Sequence, residues 1–315
     1  MILSTGEALF DMIQKPGATS IEPVVGGSTL NVALGLARLG RPTGFVTKLS
    51  TDYFGTRLRE FLTREGVDLS LTPSAPGTQS TLAFAFLQPG GHAEYSFYTA
   101  NAADRLMTPD DLPRELAADV VAVHFGSFSL ALEPTATTLA DFLIRIAPTR
   151  VISLDPNIRI SLIADRPAWL TRFATLLPHA DFVKASIEDI RWIYGNSVDA
   201  EATVRAWSLA GPRIAVITDG EAGATIAVDG MVRFVPAHKV EVVDTVGAGD
   251  TFQAAYLARL DELGLLSKSA IRGVDMATAE AIARFAVAAA AITCTRQGAD
   301  LPSRADVDAF LSHLS

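Results

Sequence analysis

Short apolar runs alternate with longer segments of helical periodicity along most of this chain. The apolar runs predict strands at residues 44–47, 120–125, 151–155, 182–184 and 213–218. Apolar positions three and four residues apart predict helices at residues 30–39, 54–65, 135–146, 251–263 and 277–292. This strand–helix rhythm is typical of a parallel sheet that is covered by helices. We therefore predict an α/β fold.

Residues 81–98 break the rhythm. Two β-rich arms, residues 81–87 and 93–98, flank Pro89-Gly90-Gly91, a pattern that predicts a β-hairpin. A strand near residues 12–21 is expected to join it. A small sheet that projects from an α/β core is suited to close over a cleft as a lid, although an edge hairpin without that role has the same pattern.

Composition and charge narrow the class of protein. The chain has 315 residues, of which 49% are hydrophobic, so it is not a disordered chain. A formal net charge of −9 disfavours a nucleic-acid-wrapping protein or one that binds anionic membranes. The single cysteine, Cys294, allows no internal disulfide and suits a reducing compartment. Charged residues interrupt both the N-terminal segment and the apolar stretch at 279–293, so we expect a soluble, cytoplasmic protein without a signal peptide or membrane anchor.

The strongest chemical signal is the sequence DTVGAGD at residues 244–250. An apolar run at residues 240–243 predicts a strand that leads into it, and a helix follows at once. Small residues let backbone N–H groups approach a ligand closely, and a helix N-terminus adds unpaired donors and partial positive charge. Together they predict an anion hole. A carboxylate in the same turn, Asp250, fits a base that activates a hydroxyl beside an electrophilic phosphorus.

Two other interpretations of this turn fit less well. A dinucleotide-binding turn needs a third glycine where this chain has Phe252, and it gains nothing from a carboxylate beside the pyrophosphate. A simple helix cap would explain Asp250 but not the Gly-Ala-Gly before it. The chain also contains no G-x-x-x-x-G-K-[ST] phosphate loop and no protein-kinase or zinc-protease motif. Its five histidines are scattered, so we assign no transition-metal site.

A second signal is Gly26-Gly27 followed by Asn31. The glycine pair permits close approach of a ligand, and the amide of Asn31 offers both a donor and an acceptor for hydroxyl groups. A strand-to-helix turn that needs only the flexibility of glycine would look the same.

With both motifs present, the chain resembles the ribokinase-like (PfkB) sugar kinase family over nearly its whole length. The segment 244–250 is similar to the C-terminal signature of that family, and Gly26-Gly27 with Asn31 is similar to its N-terminal signature, apart from Ser28-Thr29-Leu30 where relatives often have Gly, Ala or Pro. Within the family the chain is most similar to bacterial fructokinases. The runs that carry this similarity are 6–11, 97–105, 124–127, 155–159, 183–186 and 295–299.

The resemblance implies a fold. It is a three-layer sandwich with a central, mostly parallel sheet and a small β-sheet lid. Residues 1–315 would form a single domain, with lid segments at about 11–25 and 78–103 inserted in the α/β core. An exposed lid sheet would allow a homodimer through the lid, and a monomer is equally compatible with the sequence.

The resemblance also implies roles for individual residues. Asp250 would be the general base, with Gly247, Ala248 and Gly249 forming the anion hole. The residues that would hold the sugar are Asp11, Gly26, Gly27, Asn31, Asn101 and Arg105. Those that would bind ATP are Asn157, Arg159, Lys184, Thr218, Gly220 and Gly223. A monovalent cation such as K⁺ would be held by Asp244 and the backbone at Val246, and Mg²⁺ would be supported by Asp189 or its neighbour Glu188.

The expected function is therefore ATP-dependent phosphorylation of a sugar, with fructose to fructose 6-phosphate as the first choice. A kinase of the same family that acts on 2-keto-3-deoxygluconate or on another sugar or nucleoside is the nearest alternative. A non-catalytic sugar-binding member of the fold is a second, and a nicotinamide-dependent dehydrogenase is a third. The expected partners are a small-molecule sugar and ATP, with no nucleic acid and no membrane.

Overall fold

An eight-stranded sheet forms the centre of the protein, which is described by a computed structural model at residues 1–87 and 93–314. The strand order is β14-β13-β12-β11-β10-β9-β1-β4. The six strands from β12 to β4 are parallel, and β13 and β14 add an antiparallel edge. The strands are β1 (Ile2–Thr5), β4 (Thr43–Val46), β9 (Ala122–Gly126), β10 (Val151–Asp155), β11 (Phe182–Ser186), β12 (Ile214–Asp219), β13 (Gly223–Val228) and β14 (Met231–Pro236).

Helices cover both faces of this sheet because its strands are apolar on both faces. Ile2, Ala122 and Val151 face one layer, and their neighbours along each strand face the other. The first layer contains α1 (Ser28–Arg38), α7 (Ala248–Glu262), α8 (Lys268–Arg272), α9 (Met276–Cys294) and α10 (Arg304–Leu314). The second contains α3 (Thr135–Ile146), α4 (Arg166–Leu176), α5 (Ile187–Tyr194) and α6 (Ala200–Leu209). The predicted three-layer α/β architecture is confirmed.

A smaller core lies at the β4 edge. There α2 (Tyr53–Arg64) packs with Phe10, Leu30 and Phe45, beside a two-stranded pair of β5 (Leu49–Ser50) and β6 (Ser74–Ala75). One helix among the described residues, α9, is long and apolar enough to cross a membrane. Most of its apolar stretch is buried against the sheet, as in the core helix that the sequence predicts.

The lid is a second, four-stranded sheet in the order β3-β2-β7-β8. It is formed by β2 (Leu9–Gln14), β3 (Glu22–Gly26), β7 (Thr81–Leu87) and β8 (Ala93–Tyr98). The pairing of β7 with β8 is the predicted hairpin, whose Pro89-Gly90-Gly91 turn lies outside the described residues. The hairpin joins the sheet through β2, which pairs with β7, and β3 pairs in turn with β2. The strand predicted near residues 12–21 is confirmed only at residues 12–14, because residues 15–21 form the connection between β2 and β3.

One predicted strand is wrong. Residues 240–243 form a loop, in which the Val243 N–H donates to the Cys294 carbonyl at 2.8 Å. Val242 and Val243 are well exposed, so these side chains do not pack in the sheet. Two apolar residues of this segment, Val240 and Val242, instead line the wall of the cleft described below. Hydrophobicity alone does not distinguish a buried strand from an apolar cavity wall.

Candidate active site

A cleft of about 1680 Å³ lies between the carboxyl ends of the parallel strands and the lid. This is the usual position of a ligand site in an open α/β sheet, because the loops that follow neighbouring parallel strands converge there. Glu7 follows β1, Ser127 follows β9, Asn157 follows β10 and Gly220 follows β12, and all four residues line the cleft. The N-terminus of α7 closes its floor.

Asp250 lies at the centre of the cleft. It is the third residue of α7, whose N-cap, Gly247, has a left-handed backbone with φ of +80° that glycine adopts without strain. The Asp250 side chain is buried, and both carboxylate oxygens accept hydrogen bonds. Oδ1 accepts from Ser28 Oγ at 2.6 Å, and Oδ2 accepts from Asn31 Nδ2 at 2.9 Å. The predicted base is therefore turned into the cleft, and the two glycine motifs, more than two hundred residues apart, meet on its carboxylate.

The Gly-Ala-Gly turn packs closely against its surroundings. A Cβ on Gly247 would lie 2.8 Å from Ala299 Cβ, and a Cβ on Gly249 would lie 3.0 Å from Lys184 Nζ. The Ala248 N–H donates to the Thr245 carbonyl at 3.2 Å, so it closes the turn. The N–H groups of Gly247, Gly249 and Asp250 are then the remaining candidates for the anion hole, and this role stays a prediction.

Asn157 connects Asp250 and Ser28 to Arg159 across the cleft. Its backbone is left-handed, with φ of +34°, a strained conformation for a residue with a side chain. This conformation directs Nδ2 to Ser28 Oγ at 2.5 Å and, more weakly, to Asp250 Oδ1 at 3.4 Å. Its Oδ1 accepts from Arg159 Nη1 at 2.7 Å. Three predicted site residues thus form one hydrogen-bonded chain through Ser28.

A buried ion pair supports this floor. Lys184 Nζ donates to Asp155 Oδ2 at 2.7 Å, and both side chains are almost fully buried. Burial raises the pKa of Asp155 to about 6 against the opposing effect of Lys184. For Lys184 burial acts in the opposite direction, but the carboxylates around it, Asp155 first, raise its pKa. Lys184 is therefore a fixed cation beside Gly249, where a bound phosphate would need one.

The half of the cleft beside the lid, where the sugar is predicted to bind and which we call the sugar half, is acidic and aromatic. Asp11 reaches it from β2, with Tyr95 and Phe97 beside it on β8. Burial raises the pKa of Asp11 to about 6, Arg159 opposes this shift, and Asp250 adds to it. Gly26 leaves room for the carboxylate, because a Cβ there would lie 2.2 Å from Asp11 Oδ2.

Three of the predicted sugar-binding residues, Gly26, Asn101 and Arg105, are not among the residues that line the cleft. Arg105 Nε donates to the Glu133 carbonyl at 3.3 Å, and Asn101 Nδ2 donates to the Gly77 carbonyl at 3.2 Å. Neither residue lines the cleft. Tyr98 also points away from it, against Phe84 on the outer face of the lid, because alternate residues of a strand face opposite sides. For Asn101 and Arg105 the predicted sugar contact remains a prediction.

The other half of the cleft, where the nucleotide is predicted to bind and which we call the nucleotide half, is mostly apolar. Thr218, Gly220 and Gly223 line it, as predicted for an ATP site. Gly223 has φ of +130°, and a Cβ there would lie 2.2 Å from the Val235 carbonyl oxygen, so only glycine fits. The apolar remainder of the wall is formed by Ala222, Ala237, Val240, Val242, Val287, Ala290, Ala291 and Cys294. A slot of this composition suits a planar base.

The predicted cation ligands are already engaged with the backbone. Asp189 accepts from the N–H of Ile158 and of Ser186, each at 2.8 Å, and caps α5, whereas its neighbour Glu188 is exposed and lines the cleft. Asp244 accepts from Val246 N–H at 3.0 Å and from Gly298 N–H at 2.9 Å, so it ties the turn before α7 to the loop after α9. The described residues include no cluster of three metal-ligating side chains.

Sequence reasoning missed two residues that touch these groups. Ser28 bonds Asp250 directly, and Glu7 lies below it, accepting from the Ser28 N–H at 3.1 Å and from the Ser129 hydroxyl. Burial raises the pKa of Glu7. The position of Ser28, directly after the glycine pair, was the one available signal. Glu7 gave none, because a lone acid after a strand is most often exposed.

Comparison with known proteins agrees with this geometry. The profile of the pfkB family carbohydrate kinases matches residues 1–306. A fructokinase from Rhizobium leguminosarum bv. trifolii is 41% identical over 87% of this chain and 84% of its own. Fructokinase-1 of Zea mays is 33% identical over 98% of this chain and 96% of its own.

Solved structures give the same result. Fructokinase from Xylella fastidiosa with bound ATP matches with a TM-score of 0.91 and 27% identity, covering 99% of this chain and 98% of that one. Fructokinase from Vibrio cholerae, with fructose, ADP and calcium bound, matches with a TM-score of 0.86 and 25% identity over 98% of each chain. This chain therefore belongs to the pfkB family of carbohydrate kinases, and it is a sugar kinase.

Proposed function

We propose that this enzyme transfers the γ-phosphoryl group of ATP to the primary hydroxyl of fructose and makes fructose 6-phosphate. The observation that carries the proposal is the position of Asp250. Its buried carboxylate lies where the acidic sugar half meets the apolar nucleotide half, at the N-terminus of α7. The relatives named fructokinase, and the solved fructokinases with ATP or with fructose and ADP, support the choice of substrates.

The charge around the sugar half favours a neutral sugar over a sugar acid. Glu7, Asp11 and Asp250 lie on this side, and Arg159 is the cation that acts on both Glu7 and Asp11. A sugar carboxylate, such as that of 2-keto-3-deoxygluconate, would face these acids across a low-dielectric space. Fructose instead has hydroxyl groups that can donate hydrogen bonds to these carboxylates.

In the proposed reaction the sugar hydroxyl donates its proton to Asp250 as its oxygen forms a bond to the γ-phosphorus. The bond between that phosphorus and the β–γ bridging oxygen breaks, and ADP leaves with the electron pair. The N–H groups of Gly249 and Asp250 and the buried ammonium of Lys184 stabilise the charge that develops on the transferring group. The lid strand β8 would exclude water through Tyr95 and Phe97.

Magnesium fits this site without a protein cage. Mg²⁺ in kinases is held mainly by the phosphates, with one or two carboxylates, and it neutralises charge on them. Glu188, exposed in the cleft, and Asp189 behind it are the acids that would support it. A monovalent cation near Asp244 and Val246 also remains a prediction.

The proposal includes the state of the enzyme in the cell. We expect a soluble, cytoplasmic enzyme whose partners are a sugar and ATP. Phe84, Phe86 and Tyr98 form an aromatic group on the outer lid face, which a second copy would cover in a homodimer through the lid.

A panel assay tests the proposed function. ADP release would be followed with ATP and Mg²⁺ across fructose, glucose, ribose, 2-keto-3-deoxygluconate and a nucleoside. We expect fructose to have the highest kcat/KM, and fructose 6-phosphate to be the product identified by mass and by a coupled isomerase reaction. A higher kcat/KM for 2-keto-3-deoxygluconate than for fructose would identify the sugar acid as the substrate and contradict the proposal. Binding of sugars without turnover of any would indicate a non-catalytic member of the fold.

A further inference from the structure

The hydrogen bonds that end at Asp250 have a fixed direction. Arg159 has only donors, so the atom of Asn157 that it contacts is the amide oxygen, and the amide nitrogen must face Ser28. Since that nitrogen donates to Ser28 Oγ, the hydroxyl proton of Ser28 is free to point at Asp250 Oδ1, 2.6 Å away. The chain therefore runs from a guanidinium to a carboxylate, with a hydroxyl as its last donor.

This arrangement makes Ser28 equivalent to an acceptor alcohol. A hydroxyl that donates to the base beside the Gly-Ala-Gly turn is what the proposed sugar must supply. Ser28 lines the same cleft, and Asn31 donates to the other carboxylate oxygen. We propose that Ser28 is a specificity-determining residue: its hydroxyl holds the acceptor's place on Asp250, excludes water from it, and yields only to a sugar hydroxyl. This inference rests on the proposed kinase activity.

The physical reason is a difference in anchoring. A water molecule that replaced Ser28 on Oδ1 would gain one hydrogen bond and lose the existing charge-assisted one, so it would gain nothing. A sugar held at the same time by Asp11 and other groups of the cleft brings its hydroxyl at a high effective concentration. A hydrogen bond to a charged group corresponds to roughly tenfold to a hundredfold in an equilibrium. Selection of this size is enough to suppress hydrolysis of ATP by water.

The structure allows a clean substitution. Ser28→Ala removes the hydroxyl but keeps the Ser28 N–H bond to Glu7 Oε1, which anchors the start of α1. A matched control is Ser197→Ala, an exposed serine in the turn between α5 and α6 that does not line the cleft. Ser28→Thr restores a hydroxyl at the same position.

The experiment measures ATP hydrolysis without sugar and phosphorylation of the best sugar of the panel. In Ser28→Ala we expect the ratio of sugar-independent hydrolysis to sugar phosphorylation to rise about tenfold or more. Ser28→Thr, which keeps the hydroxyl, should hold this ratio near the wild-type value, and Ser197→Ala should behave as wild type. A residue that only supported the fold would lower both rates together.

An unchanged ratio in a folded Ser28→Ala enzyme that still phosphorylates the sugar would overturn the inference and leave the kinase activity standing. Absence of turnover by the wild-type enzyme with every sugar would instead overturn the proposed function. Should Ser28→Ala not fold, as judged by thermal melting, Ser28→Cys replaces the hydroxyl by a weakly donating thiol of similar size, and the same ratio of rates decides.

Discussion

Substitution of Gly26 by alanine tests the position of Asp11 without touching its carboxylate. The new Cβ would lie 2.2 Å from Asp11 Oδ2 and 3.2 Å from its Cγ. Non-bonded carbon and oxygen atoms keep well over 3 Å apart, so the carboxylate must shift by about 1 Å. The backbone of Gly26 is not left-handed, so alanine adds no backbone strain there. The change therefore acts mainly on Asp11.

The displacement has a predictable kinetic effect. A charge-assisted hydrogen bond lost to a sugar hydroxyl is equivalent to about 1.5–3 kcal/mol, or roughly a tenfold to hundredfold rise in the KM for the sugar. The KM for ATP should change by less than about threefold, because Gly26 lies outside the nucleotide half of the cleft. Initial rates of ADP release, measured at varied sugar concentration and at varied ATP concentration, give the two KM values separately.

Two controls make this test decisive. Gly273→Ala, at the end of α8 and away from the cleft, should leave both KM values unchanged. In an Asp11→Ala background, Gly26→Ala should add little further effect, because the group it displaces is already gone. A KM for the sugar within twofold of wild type in a folded Gly26→Ala enzyme would refute the assignment of Asp11 to the sugar.

Three further predictions concern buried charge. Burial lowers the pKa of His124 to about 3, so between pH 6.5 and 3 the unfolded chain binds a proton that the folded protein does not. Over this range the His124 side chain contributes a loss of stability of about 1.4 kcal/mol per pH unit as pH falls, which denaturant melts should show as the difference in slope between wild type and His124→Gln. Lys184→Met leaves the Asp155 carboxylate unpaired, so urea melts at pH 8 should show a loss of about 3–5 kcal/mol, most of it recovered when Asp155→Leu is added. Asp11, with a pKa of about 6, should lose its charge as pH falls, so the KM for the sugar should rise below pH 6 in wild type but not in Asp11→Asn.

Local sequence signals predicted the regular frame and the centre of the site. The helix Thr135–Ile146 and the strand Val151–Asp155 were predicted to the residue, because each has one clear hydrophobic period and a clear end. The Gly-Ala-Gly turn predicted that a helix follows it, but α7 begins at Ala248, inside that turn, and not at the predicted residue 251. Such features depend on neighbours in the chain, and a sequence displays those directly.

Contacts between distant segments could not be predicted in the same way. Ser28 and Asp250 are 222 positions apart, and nothing local to either residue indicates that the two side chains meet. The sequence proposes Asp189 or Glu188 as an acid that supports Mg²⁺, but it does not show that the oxygens of Asp189 accept hydrogen bonds from the backbone N–H groups of Ser186 and Ile158. The loop at 240–243 was read as a strand because a cavity wall and a sheet interior select the same apolar residues.

The central claim is that Asp250 removes the proton of the acceptor hydroxyl, and Asp250→Asn tests it most directly. The amide keeps the size of the carboxylate and can still bond Ser28 and Asn31, but it is not a base. Sugar binding by calorimetry, with ATP omitted, shows whether the pocket survives, and single-turnover rates with ATP report the chemistry. We expect sugar binding within a few-fold of wild type and a rate at least about 100-fold lower, as loss of a general base requires. A single-turnover rate equal to that of wild type would contradict the account.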